Sequence, residues 1–238
     1  MRVLGYIGLA ILLVVVGFVA WWAWQTPTYV YRFRLGLEVE ADGEVRRGAG
    51  VIEVRATNYK VGLPHTTGIR EKVRGEAVAL DLGQGKSIFM LLALGATGSD
   101  DMFYALPLRV FKSSTIEDLP HLRDIAELPS RLIPTLVTFV DLNDPATARV
   151  VRPEEFEAVF GAGVRFKQAT IEMVSPGTWP LTLLGIGGEP VTRGIEGKLP
   201  WWGRPLPWVK PSGSGFVDAR PIVAGQYRLQ REHFKRSF

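Results

Sequence analysis

Residues 31–54, YRFRLGLEVEADGEVRRGAGVIEV, decide the fold. Tyr31, Phe33, Leu35, Leu37 and Val39 alternate with Arg32, Arg34, Gly36, Glu38 and Glu40. Period two with one apolar face predicts a half-buried antiparallel strand over 28–40. Asp42-Gly43 follows, a dipeptide that tolerates the positive φ angles of a tight hairpin turn. Residues 44–56 then form the return strand, centred on Val51-Ile52-Glu53-Val54. The chain is therefore expected to be mostly β.

Further along, 73–82 and 87–94 flank the turn Gly83-Gln84-Gly85-Lys86 and predict a second hairpin. Ile88 to Leu94 lacks alternation, which fits a strand buried on both faces; a short helix is the alternative. Residues 95–101 read as a polar loop, and 104–111 as a strand. Ser114 and Glu117 fit a capping box, although Pro120 interrupts any continuous helix. Residues 132–142 return to strand character, and Asp144-Pro145 opens a turn. Pro153 to Phe160 predicts a helix: proline at its first position, Glu154 and Glu155 at its positive end, and Gly161 as its left-handed stop. Residues 164–174 alternate again, with a change of face that predicts a bulge. The expected architecture is an antiparallel β-sandwich or partly closed β-barrel with one or two short helices.

Ahead of this domain, no side chain from Val3 to Trp24 is charged. As a helix this stretch would measure about 33 Å, enough to cross a hydrocarbon core of about 30 Å. Trp21, Trp22 and Trp24 cluster at one end, where amphipathic rings favour the headgroup boundary. A cleaved signal peptide would have a shorter apolar run and a small-x-small cleavage site, and a cut after Ala23 places Trp21 where a small residue is needed. The expectation is an uncleaved single-pass anchor over 1–24, touching membrane lipid. Arg2 precedes it and Arg32 and Arg34 follow, so basic residues barely bias its orientation. A short positive tail before a long domain favours the inner (plasma) membrane with the bulk of the chain periplasmic. The absence of cysteine excludes disulfides and thiolate chemistry.

Charge divides the remainder. Residues 25–202 form a β-rich exported domain with net charge −2, whereas 203–238 carry seven basic and two acidic side chains. That C-terminal extension contains Pro205, Pro207, Pro211 and Trp208 and cannot form a regular central strand. Its basic excess lacks the aromatic interleaving of a nucleic-acid groove, so nucleic acid is not an expected partner. Arg228, Arg231, Lys235 and Arg236 near the end are candidates for binding anionic headgroups; a solvated terminus is the equal alternative.

Several segments together resemble a group of bacterial single-span membrane-anchored proteins. They are Tyr31-Arg32-Phe33-Arg34-Leu35, Gly50-Val51-Ile52-Glu53-Val54, Leu142-Asn143-Asp144-Pro145, Phe160-Gly161-Ala162-Gly163-Val164, and 190–196 with Leu199-Pro200-Trp201. The resemblance covers most of 28–202 but not the extension. No activity is established for that group, so the likeness implies a shared fold and no catalytic residues.

Motifs for chemistry are sparse. Gly85-Lys86-Ser87 matches the end of a phosphate-binding loop, but Leu80 stands where its first glycine belongs, and the context is strand-turn-strand. His65, His121 and His233 lack zinc spacing. Ser212-Gly213-Ser214-Gly215 reads as a linker rather than a nucleophile elbow. Asp141, Asn143 and Asp144 fall short of a calcium loop and read as turn residues. No cofactor is expected. Three functions follow: a non-enzymatic envelope interaction or scaffold domain with a protein partner, a lipid or apolar-ligand-binding barrel, and an envelope hydrolase using Asp100, Asp101 or His65.

Overall fold

A computed structural model describes residues 2–60, 68–95, 101–112, 115–178, 180–184, 186–204, 222–224, 227–229 and 231–237. Helix α1, Arg2–Gln25, leads directly into strand β1, Thr28–Ala41. Thr26 N–H donates to Trp22 O at 3.0 Å, closing the last turn of the helix. Among the described residues no helix is long and apolar enough to cross a membrane.

The first hairpin forms as its pattern predicts. β1 pairs with β2, Glu44–Tyr59, from Thr28↔Thr57 to Ala41↔Glu44. Asp42 and Gly43 have φ of 54° and 80°, the left-handed pair that matches the twist of the flanking strands. Beyond them come β3, Gly68–Glu76; β4, Val78–Gly83; β5, Lys86–Met90; β6, Ile125–Glu127; β7, Leu136–Phe139; β8, Ala148–Val150; and β9, Arg165–Val174. Short strands β10, Ile222–Ala224, β11, Tyr227–Leu229, and β12, Lys235–Arg236, complete the order. Two antiparallel sheets result, of order β12-β3-β2-β1-β9-β6 and β4-β5-β7-β8, with a separate β10-β11 hairpin. Neither sheet closes on itself, so the barrel alternative is not what the chain adopts.

The sheets share one core. Phe33, Leu35 and Leu37 from β1, Ile52 and Val54 from β2, and Ile88 from β5 are fully buried in it. Every residue from Ile88 to Leu94 is buried, as its lack of alternation predicts. Ile88, Met90, Leu92 and Leu94 enter this core, whereas Phe89, Leu91 and Ala93 enter a second one. The second core lies on the outer face of the smaller sheet. Helix α4, Ile195–Lys198, contributes Ile195, the following turn contributes Trp201, and α5, Arg231–Phe234, contributes Phe234.

Two expectations are corrected. The strand expected over 73–82 is two strands in different sheets, with the chain turning the corner at Ala77. Gly75 permits the approach there, because a Cβ on it would lie 2.9 Å from Ile52 Cγ1. The strand expected over 104–111 is a 3-10 turn, Asp101–Ala105, followed by helix α2, Leu106–Val110. Pro107 sits in the first helical turn, and Phe103 and Leu106 are buried at helical spacing. Ser114 of the expected capping box lies outside the described residues; Glu117 accepts from Tyr29 Oη at 2.8 Å, and Asp118 caps Thr115 N–H at 3.0 Å. The helix at 153–160 starts as a 3-10 turn and continues as α3, Phe156–Phe160, with Gly161 at φ 98°. The bulge in β9 appears as a register shift opposite Glu38/Val39.

Candidate functional site

The outer face of the larger sheet carries charges that the hairpin register brings together. Counting outward from Asp42-Gly43 sets Arg32 opposite Glu53. Arg32 is 2% exposed and Glu53 0%, and their side chains approach to 2.5 Å. Burying a lone carboxylate or guanidinium is strongly unfavourable, so each needs the other and further hydrogen bonds. Arg55 Nε and a terminal nitrogen of Arg74 also reach Glu53, at 3.3 and 3.1 Å. Arg32 directs a terminal nitrogen to Gly187 O at 2.8 Å and to Glu189 O at 2.5 Å.

Those two carbonyls belong to a strap, residues 175–194, that leaves β9 and lies over this face. Glu189 N–H returns to Ser175 O at 2.9 Å, closing the base of the loop. Gly188, at φ 72°, packs on the Pro176-Gly177 backbone so closely that no Cβ fits. Thr192 exchanges two hydrogen bonds with Val51, its N–H to the carbonyl at 3.1 Å and its hydroxyl from the N–H at 2.8 Å. The strap thus buries Arg32 and Glu53 beneath it.

Beside the strap lies a cleft of about 420 Å³ lined by Arg34, Arg123, Asp124, Glu172, Ser175 and Glu189, among others. Arg34 is held between Glu172 and Glu189, the latter at 2.6 Å. The hydrogen bond that Arg34 donates to Glu189 is the main reason its guanidinium is held even more firmly protonated than usual, ahead of the opposing effect of burial. Both carboxylates are thereby engaged in structure, which leaves the cleft able to take a small polar group. Among the described residues no group of His, Asp and Glu is arranged to hold a metal ion.

A second groove, about 710 Å³, opens where β1 begins. Thr28, Arg55, Thr57, Tyr59, Arg70 and Lys72 line it, with Glu71 the one acidic residue among the described lining. The Arg70 guanidinium lies 5.1 Å from the Tyr59 ring centroid.

The residues singled out from sequence are scattered. Trp21, Trp22 and Trp24 stand exposed near the end of α1, with Lys60 Nζ 5.8 Å from the Trp24 ring. Arg231 donates to Arg204 O at 2.7 Å and lies over Trp202. Lys235 pairs with Glu196 at 2.7 Å and with buried Glu76 at 3.3 Å. Arg236 belongs to β12, opposite Gly75, and Arg228 to β11, where only the backbone is described. His65 and Asp100 lie outside the described residues, as do Ser212 to Gly215; Asp101 opens a 3-10 turn. Lys86 donates to Phe160 O at 2.7 Å from the start of β5. Asp141 and Asp144 accept from the backbone N–H groups of Asn143 and Ala146, both at 2.9 Å, as turn caps. Sequence reasoning missed Arg32 and Glu53, although the hairpin register already paired them. Glu172 and Glu189 carried no local signal.

Comparison with known proteins finds no matching family, no matching curated protein and no matching solved structure.

Proposed function

We propose that this chain is a single-pass membrane protein whose β domain acts without catalysis, as an interaction or scaffold domain held close to the bilayer. The observation that carries the reading is the junction. The uncharged stretch from Val3 to Trp24 is helical and presents Leu12, Leu13 and Phe18 to its surroundings. It passes into β1 through Thr26 and Pro27 alone. Asn58 N–H donates to Pro27 O at 2.9 Å and Lys60 N–H to Gln25 O at 3.0 Å, which ties β2 to the same point. An exposed apolar helix joined so closely to a sheet holds that sheet at a set height above a membrane, which a scaffold needs and a diffusing enzyme does not. Trp21, Trp22 and Trp24 would lie at the headgroup boundary, with the domain on the periplasmic side of an inner membrane.

The apolar-ligand reading requires an open interior, whereas Phe33, Leu35, Leu37 and Ile88 fill the space between the sheets at 0% exposure. The hydrolase reading gains no assembled acid–base pair among the described residues.

Alkaline carbonate extraction, followed by protease treatment of intact and permeabilised cells, tests the anchor and its side. The chain should remain with the membrane, and the domain should become cleavable only after permeabilisation of the outer barrier. In-cell crosslinking with mass spectrometry should then retain one protein at near-equal abundance. Extraction of the chain by carbonate would overturn the anchor, and specific turnover by the purified full chain would overturn the scaffold.

A further inference from the structure

Four strand ends meet where α1 enters the domain. β1 starts there at Thr28, β2 ends there at Tyr59, and β3 starts opposite it, Gly68 against Tyr59. β9 runs antiparallel to β1 and finishes with Val174 opposite Arg32, so the strap leaves the sheet heading for the same end. From Pro176 to Gly188 the strap contains no charged residue. Its 3-10 turn, Leu181–Leu184, and the following Ile186 expose large aliphatic side chains: Leu181 46%, Leu184 72% and Ile186 54%. An apolar turn of this kind is poorly suited to water, yet hydrogen bonds at its base hold it in place.

Basic side chains stand at the same end of the sheet, the register setting Lys72 beside Arg55 and Arg70 beside Thr57. Lys60, Arg70 and Lys72 are exposed at this end. Arg55 and Arg74 reach Glu53, but Lys60, Arg70 and Lys72 make no ion pair among the described residues. The opposite end of the sheets holds the β1–β2 and β4–β5 turns, joined through Gln84 and Asp42, and lies away from α1.

We propose that this end of the domain is a second membrane contact: Leu181, Leu184 and Ile186 enter the bilayer interface while Lys60, Arg70 and Lys72 meet the phosphates of acidic phospholipids. The inference rests on the reading of α1 as a membrane anchor. Tethering by α1 places the turn at the surface at high effective concentration, so even modest insertion is populated. The cations contribute through the negative surface potential, each worth about a fivefold change in the docked-to-undocked ratio. Docking fixes the rotation of the domain about α1, and therefore which face is presented to a partner.

The chain lacks cysteine, so single cysteines report without background. The full chain carrying Ala20→Cys, Leu184→Cys or Val140→Cys is labelled with an environment-sensitive fluorophore. It is reconstituted into vesicles of phosphatidylcholine alone or of equimolar phosphatidylcholine and phosphatidylglycerol. Val140, 84% exposed beyond the far end of β7, is the aqueous reference. The Ala20 and Leu184 labels should emit blue-shifted light and be quenched by lipid-borne nitroxide, and the Val140 label should not. The Leu184 response should weaken without phosphatidylglycerol and when Lys60, Arg70 and Lys72 are changed to Gln. An aqueous Leu184 label beside a quenched Ala20 label would overturn this proposal and leave the anchor standing. An aqueous Ala20 label would overturn the anchor and the contact with it. Quenching at Leu184 that ignores lipid charge and the Gln changes would overturn the headgroup contact.

Discussion

Glu53 sits at 0% exposure with three guanidinium groups around it. Removing its charge strands Arg32 beneath the strap, and breaking a buried pair from one side typically costs about 3–5 kcal/mol. Glu53→Gln should therefore lower the urea midpoint of the full chain in detergent far more than Glu172→Gln, whose carboxylate is 39% exposed. Tyr31 supplies a pH signature. Its hydroxyl donates to Tyr104 O at 2.6 Å, and burial, helped by Tyr104 and Glu71, holds the phenol above its ordinary 10.0. A folded-state value above the unfolded one means full stability below pH 10.0, lost progressively as pH rises beyond it. Tyr31→Phe should flatten that alkaline loss in a denaturation series, while lowering neutral stability by about 1 kcal/mol for the missing hydrogen bond. Trp201 separates volume from polarity: its indole N–H, buried, has no partner among the described residues. Trp201→Phe should be mild, and Trp201→Ala should cost about 3–5 kcal/mol, read from the same denaturation curves.

Among the elements, the last residues of the chain matter more than their composition implies. Phe234 O accepts from Ala77 N–H at 2.8 Å and His233 O from Leu92 N–H at 2.7 Å, while Phe234 packs 5.7 Å from Trp201 and 6.2 Å from Phe89. Phe234→Ala should raise hydrogen exchange at the Ala77 and Leu92 amides before it affects the Phe33 region. Hydrogen bonding to Lys235 holds the Glu196 carboxyl below its usual range. That contribution is present above the ordinary carboxylate range and fades as pH falls through the lowered value, so the protection factors of these amides, corrected for the slower intrinsic exchange in acid, should fall slightly. Gly188→Ala would push a Cβ into the backbone at Pro176 and Gly177, and should free the Glu189 amide in the same experiment. These contacts explain how much of the fold was legible. The Asp42-Gly43 hairpin and the doubly buried run after Lys86 depend on neighbours in sequence, and pattern finds them. The corner at Ala77 and helix α2 depend on partners far away, so alternation over 73–82 and apolar content over 104–111 misled.

Taken whole, the molecule is an apolar helix, two open antiparallel sheets, and a C-terminal layer that returns to cover the smaller sheet. If α1 is the anchor, a lysine at Leu12 and another at Val16 should each disfavour insertion by about 3 kcal/mol and release the chain during carbonate extraction. The sequence by itself determined the helix, the β class and the first hairpin, because charge absence, period two and turn chemistry are all local. Even the Arg32–Glu53 pairing was implicit in the hairpin register. Only the tertiary structure decided that this pair is buried, that Glu172 and Glu189 flank Arg34, and that Lys235 answers Glu76. It also decided that an apolar turn and three exposed cations share the end where α1 enters. Each of these joins residues from separate elements. Burial and ion pairing depend on distances through space, which spacing along the chain does not encode.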